Sequence, residues 1–188
     1  MGRAVTIMRK LFLLRHAKSS WDDPSMGDMD RPLSERGKQA ASHMADFFAA
    51  HAIRPSLALV STSQRTRATW DRLEPKMEGV PVSIEDCLYE ASRGDLLHRL
   101  RLVDNHVASI LLIGHNPGIG RLAEALVGHN GDPEVLERIS AKFSTGALAE
   151  IELDIAHWGE LEAGCGALIR YVRPKDLENT GKRSAIEE

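Results

Sequence analysis

The sequence predicts an α/β fold: a three-layer sandwich with a mostly parallel central sheet and helices on both faces. Three observations predict it. Short apolar runs alternate with helical patterns along the chain, the arrangement expected of successive βαβ units. Two of the runs, LFLL at 11–14 and SILLI at 109–113, are apolar but for Ser109, as strands covered on both faces must be. The intervening segments place apolar residues at helical spacing behind a Ser or Asn that suits a helix cap.

In chain order, 11–14 is the first buried strand. Ser34 caps a helix whose Ala40, Ala41, Met44, Phe47 and Phe48 share a face. Residues 56–60 form a second short strand, followed by a polar helix over about 64–73, and 80–84 form a third strand between Gly79/Pro81 and Glu85-Asp86. Ser92 caps a helix carrying Leu96, Leu97, Leu100 and Val103, which leads into the SILLI strand. Asn116 and Pro117 suit the cap and first position of a helix lined by Ile119, Leu122, Ala123 and Leu126. Two late strands, at 147–153 and 167–172, are expected to run antiparallel around the connection at 159–166.

A chain of 188 residues suits one domain. The expectation is a single domain over 1–188 with a core from about 10 to 173, the ends 1–9 and 174–188, the second of them polar, being flexible. The formal net charge is −3 and aromatic residues make up 5%. Neither a basic groove nor stacking platforms for nucleic acid are on offer. No apolar run approaches the roughly 18–20 residues of a spanning helix, and the first ten residues lack a signal-peptide core, so a cytoplasmic location is the default. Cys87 and Cys165 lack zinc-ligand spacing and are too few for a disulfide framework; both read as reduced packing residues.

The first strand ends on Arg15 and His16, and the SILLI strand ends on Gly114-His115-Asn116. In a parallel α/β sheet the ligand lies beyond the carboxyl ends of the strands. Two histidines therefore leave two buried strands on the ligand side. VSTSQRTRATW at 60–70 adds Arg65 and Arg67 near a helix start after another strand. Guanidinium groups and helix N-termini both bind phosphate. Arg15 and Arg65, taken as lying on adjacent strand ends, would balance a phosphate dianion without a divalent metal. Asp22, Asp23, Asp28 and Asp30 share one loop without EF-hand spacing and read as a solvated lid or rim. His43, His51, His98, His106, His129 and His157 read as surface or boundary residues, His51 suiting a helix C-terminus.

These residues resemble a known family. RHAKSSW at 15–21, DRPLSERG at 30–37, the Ser61, Arg65, Thr69 pattern, LYEAS at 88–92 and IGHNPGI at 113–119 together resemble the histidine phosphatase (phosphoglycerate mutase-like) superfamily, most closely its SixA-type phosphohistidine phosphatase branch. Ala17 replaces the usual glycine of the Arg-His-Gly signature. The resemblance implies a metal-independent phosphatase with no cofactor, working through a phosphohistidine enzyme intermediate on His16. It favours Arg65 over Arg67 and assigns Arg15, Arg65 and His115, with the Asn116 backbone N–H, to the phosphate. Glu90 stands where many relatives keep the acid that protonates the leaving group, with Asp22, Asp23 and Asp30 as substitutes. The implied substrate is protein phosphohistidine. The alternatives are a small phosphomonoester or, without turnover, a phosphate-binding module.

Overall fold

The computed structural model describes residues 8–178. Six strands, β1 (Arg9–Arg15), β2 (Leu57–Ser61), β3 (Val82–Glu85), β4 (Ser109–Gly114), β5 (Leu148–Leu153) and β6 (Gly166–Val172), form one sheet in the order β3-β2-β4-β1-β5-β6. The pairs β3·β2, β2·β4 and β4·β1 are parallel, whereas β5 runs antiparallel to both β1 and β6. Among the described residues, the helices of nine or more residues are α1 (Glu35–Ala50), α2 (Gln64–Leu73), α3 (Arg93–Arg101), α4 (Gly118–Val127) and α5 (Pro133–Ala141).

The apolar strands explain the layering. Successive side chains of a strand point to opposite faces. Leu11 and Leu13 accordingly join Ile110, Leu112, Leu100, Leu122 and Leu126 in a core under α3 and α4. Phe12 and Leu14 join Val60, Leu111, Ile113, Met44, Phe48, Trp70 and Leu73 in a second core under α1 and α2. All four residues of 11–14 are at most 4% exposed, and each such side chain contributes about 1.5–3 kcal/mol by leaving water. The sandwich is built on both sides of this run.

Ser34 caps α1 by accepting from the Gly37 N–H, and Ser92 caps α3 in a capping box with Asp95. Several expectations need correction. Asn116 is not a cap: α4 starts at Gly118, Pro117 holds the cap position after a cis peptide bond, and the Asn116 amide turns away to the Phe143 carbonyl. Arg15 and Arg65 are not on adjacent strand ends, because β4 lies between β1 and β2. Helix α5 escapes the apolar pattern, since Ile139 is its one buried residue. Its signal was Asp132 before Pro133, a capping side chain followed by a first-turn proline. Cys87 is exposed on a surface turn and does not pack in a core, while Cys165 lies half-buried beside one.

Order extends slightly past the expected core. Arg9 is buried and donates to the carbonyls of Val107, Asn105 and Ala156. Residues 174–178 are helical, and Leu177 packs on the second core. Of the segments expected to be flexible, 1–9 and 174–188, residues 1–7 and 179–188 lie outside the described residues.

Candidate active site

Register brings the two histidine loops together. Arg15 on β1 faces Gly114 on β4, and the His16 N–H donates to the Gly114 carbonyl at 3.1 Å. The next residues, His16 and His115, therefore leave the sheet side by side, with ring centroids 5.3 Å apart. Both are buried, and both line a cavity of about 670 Å³ with Arg15, Arg65, Asn116 and Glu90.

The His16 ring has one fixed nitrogen. Its Nδ1 lies 2.7 Å from the Ala17 carbonyl, which can only accept, so Nδ1 carries the proton and Nε2 keeps its lone pair. Burial, reinforced by the charges of Arg65, Arg15 and Arg31, lowers the His16 pKa to about 4 against the opposing pull of the Ala17 carbonyl. The ring is therefore neutral at neutral pH. His115 is pushed to about 3, chiefly by burial and then by neighbouring His16 and Arg65. Its Nε2 meets the buried Ser61 Oγ at 2.8 Å, and its Nδ1 lies 3.4 Å from Arg65 Nη2.

Neighbouring elements hold these groups in place. Arg15 Nη1 and Asn116 Nδ2 both donate to the Phe143 carbonyl, at 2.8 and 3.1 Å. The Gly146 N–H donates to the carbonyls of Arg15 and His16. The stretch after α5, to which the sequence assigned no role, thus orients one arginine and the amide. The Ser61, Arg65, Thr69 pattern has a structural meaning: Ser61 holds His115, while Thr69 accepts from the Ala17 N–H at 3.1 Å and donates to the Arg65 carbonyl at 2.7 Å. Arg65 is buried and faces the cavity; Arg67 is exposed and lines a separate shallow depression.

The carboxylates divide differently from expectation. Glu90 reaches the cavity from an exposed position with φ 51°. Asp22 and Asp23 are exposed and pair with Ser20 and Ser25, and Asp30 lines the depression beside Arg67. Asp28 is the loop aspartate at the site: it accepts from Arg65 Nη2 at 2.9 Å, from Tyr89 Oη at 2.7 Å and from Arg31. The Tyr89 hydroxyl and the arginines hold its pKa at about 2. Nothing in the sequence separated Asp28 from its loop neighbours. Among the described residues, no three His, Cys, Asp or Glu side chains gather to hold a metal ion, and no helix is long and apolar enough to cross a membrane. The six other histidines are exposed, His51 bonding the Phe47 carbonyl at the end of α1.

Chemically, the pocket offers a neutral imidazole nitrogen, two guanidinium groups and a second imidazole lining one cavity, a set that suits a tetrahedral oxyanion. Comparison with known proteins agrees. Residues 11–112 match the model of the histidine phosphatase superfamily (branch 1). An uncharacterised Mycobacterium tuberculosis protein is 34% identical over 163 residues, 86% of this chain and all of that protein. The phosphohistidine phosphatase SixA of Escherichia coli is 26% identical over 183 residues, 90% of this chain and 96% of that one. A crystal structure from Agrobacterium tumefaciens, provisionally described as phosphohistidine phosphatase SixA, superposes with a TM-score of 0.75 at 30% identity, covering 88% of this chain and 98% of that one.

Proposed function

The chain belongs to branch 1 of the histidine phosphatase superfamily and is a phosphatase, and on that premise we propose that it removes phosphate from protein phosphohistidine without a metal ion. The observation that carries this reading is His16 itself, a buried ring with its Nδ1–H tied to the Ala17 carbonyl and its Nε2 left unprotonated beside Arg15, Arg65 and His115.

In the first step Nε2 of His16 attacks phosphorus in line and the bond to the leaving nitrogen breaks. Charge on the equatorial oxygens meets Arg15 and Arg65, with the Asn116 N–H as a further donor, and His115 joins them as a donor when the neighbouring phosphoryl dianion raises its proton affinity. The positive charge that phosphorylation places on the His16 ring is stabilised by the Ala17 carbonyl through Nδ1–H. Water then attacks the phosphohistidine, releasing phosphate and restoring the neutral ring.

The substrate class is argued from the leaving group. An alkoxide needs a proton from a general acid, typically worth ~10²–10⁴ in rate. An imidazole already protonated on its far nitrogen departs with little help. Asp28 is ionised and engaged with arginines, and Glu90 stands at the exposed rim, a distribution that favours a phosphoramidate. Glu90 also lines the cavity, and that single contact supports a small phosphomonoester as the second reading.

Trapping the enzyme with radiolabelled substrate tests the chemistry. The label is expected to be acid-labile and alkali-stable, to map to the peptide containing His16, and to vanish in His16→Ala. Unchanged aryl phosphate hydrolysis by that variant would remove His16 from the reaction. Turnover of a phosphohistidine protein against a panel of phosphorylated metabolites tests the substrate, and a clear preference for a metabolite would end the protein reading.

A further inference from the structure

Arg31, from the DRPLSERG stretch, has no part in the clamp described above, yet it stands in the same cavity. It is 9% exposed, and its Nε and Nη1 are buried without a hydrogen-bond partner. Its charge reaches His16. Trp21 stacks on the guanidinium at 3.5 Å from the ring centroid, shielding the cation from water and strengthening its pull on an anion. A buried guanidinium with two idle donors at a phosphate pocket is short of an anion.

Asp28 supplies a partial one. Its carboxylate bridges Arg31 and Arg65, with Tyr89 Oη donating to the oxygen that faces Arg65. Arg65 Nη1 donates to the Asp28 carbonyl at 2.5 Å, so each terminal nitrogen of Arg65 already gives one of its N–H donors to this residue. A phosphoryl group that pairs with both terminal nitrogens of Arg65 competes with Asp28 for the same face. We infer that Asp28 is an internal anion occupying Arg65 and Arg31 until a phosphoryl group displaces it, and that Arg31 then serves as a third arginine of the phosphate clamp. The inference rests on the phosphatase reading and concerns how the site is filled.

The exchange is physically favourable. A carboxylate brings one charge and two oxygens, whereas a phosphoryl group brings up to two charges and three equatorial oxygens, enough for Arg15, Arg65 and Arg31 together. Displacement is local. Every residue from 21 to 30 is exposed, so Asp28 swings into water without opening a core. The base of the loop stays fixed by the Ser19–Leu33 bridge and by the Ser20 N–H donating to the Pro32 carbonyl at 2.8 Å. An occupied clamp weakens apparent phosphate affinity by the fraction of molecules in which Arg65 is free.

Titration calorimetry of inorganic phosphate into the full chain tests this on the wild type, Asp28→Asn, Arg31→Ala and the double variant. Asp28 lies on an exposed loop, so its replacement leaves the packing intact. Asp28→Asn is expected to bind phosphate about tenfold more tightly, and adding Arg31→Ala to it to lose at least about tenfold, as removal of a charge-assisted pair implies. Unchanged or weaker binding by Asp28→Asn overturns the internal anion. An Arg31→Ala change without effect in that background overturns the third arginine. Loss of kcat in Asp28→Asn with unaltered phosphate affinity would assign Asp28 to proton donation instead. A wild type that neither binds phosphate nor hydrolyses an aryl phosphate overturns the functional reading as well, whereas normal turnover with a silent Asp28→Asn overturns this inference alone.

Discussion

The proposed role of His16 asks for a ring buried enough to stay neutral and close enough to cations to meet an anion, and a polar side chain just past an apolar strand satisfies both. Both conditions lower its pKa, burial most and then the charges of Arg65, Arg15 and Arg31, to about 4. On the proposed chemistry the neutral ring is the reactive form, so activity is expected to be retained above this pKa and lost as pH falls through it. In the free enzyme the acid limb of kcat/KM, corrected for the substrate's own ionisation, is expected near pH 4, not near the ordinary histidine value of 6.5. A pH–rate profile from pH 3.5 to 8 measures it. A limb between pH 6 and 7 would mean that the titrating base is another, better solvated group. At this scale the sequence was legible wherever a polar side chain interrupts an apolar pattern, as with Arg15, His16 and His115. It was silent on Asp28 and Arg31, because only the path of a ten-residue exposed loop decides which of four aspartates meets Arg65.

Elements place these residues through close backbone contacts as much as through cores. Gly37, in the first turn of α1, would set a Cβ 2.0 Å from the Lys18 carbonyl oxygen and 2.9 Å from its carbon. That carbonyl also accepts from the Ser34 N–H and Oγ, so the helix start is fastened directly to the backbone leaving His16 and Ala17. The glycine of DRPLSERG is thus required by contact with the loop that carries His16. Gly37→Ala is expected to lower stability by about 1–3 kcal/mol through overpacking and to reduce kcat, because Lys18 must move. Gly159→Ala, where an added Cβ meets nothing within 4 Å, is the control and should stay within about 0.5 kcal/mol. Urea midpoints with steady-state rates separate the outcomes; equal behaviour of the two variants would show that the contact relaxes freely. Serine caps made α1 and α3 readable, an apolar stripe did the same for α4, and α2 was legible only as a polar helix after a strand. Helix α5 was not readable, since Ile139 is its one fully buried residue and Val135 and Leu136 pack only partly buried, yet the turn after it orients Arg15 and Asn116 through the Phe143 carbonyl.

Across the whole molecule, charge is unevenly spread. The chain carries a formal −3, yet Lys and Arg outnumber Asp and Glu eight to three among the residues lining the cavity. The excess has two layers. Arg15, Arg31 and Arg65 lie within or beside the clamp, whereas Lys18, Arg36, Lys142 and Lys175 are exposed at its rim. Salt separates the layers, because exposed charges are screened over about 10 Å at 0.1 M ionic strength and buried ones much less. A phosphorylated protein with an acidic surface is drawn in by the rim, so its kcat/KM is expected to fall about tenfold between roughly 0.05 and 0.5 M salt, through KM and not kcat. A small aryl phosphate, whose charge is met by the buried clamp, should lose much less. Replacing Lys18 and Lys142 together by Gln should flatten the protein's salt dependence and leave the aryl phosphate nearly unaffected. Identical salt slopes for both substrates would mean that the rim attracts nothing beyond the phosphoryl group, and the case for a macromolecular substrate would then rest on leaving-group chemistry alone.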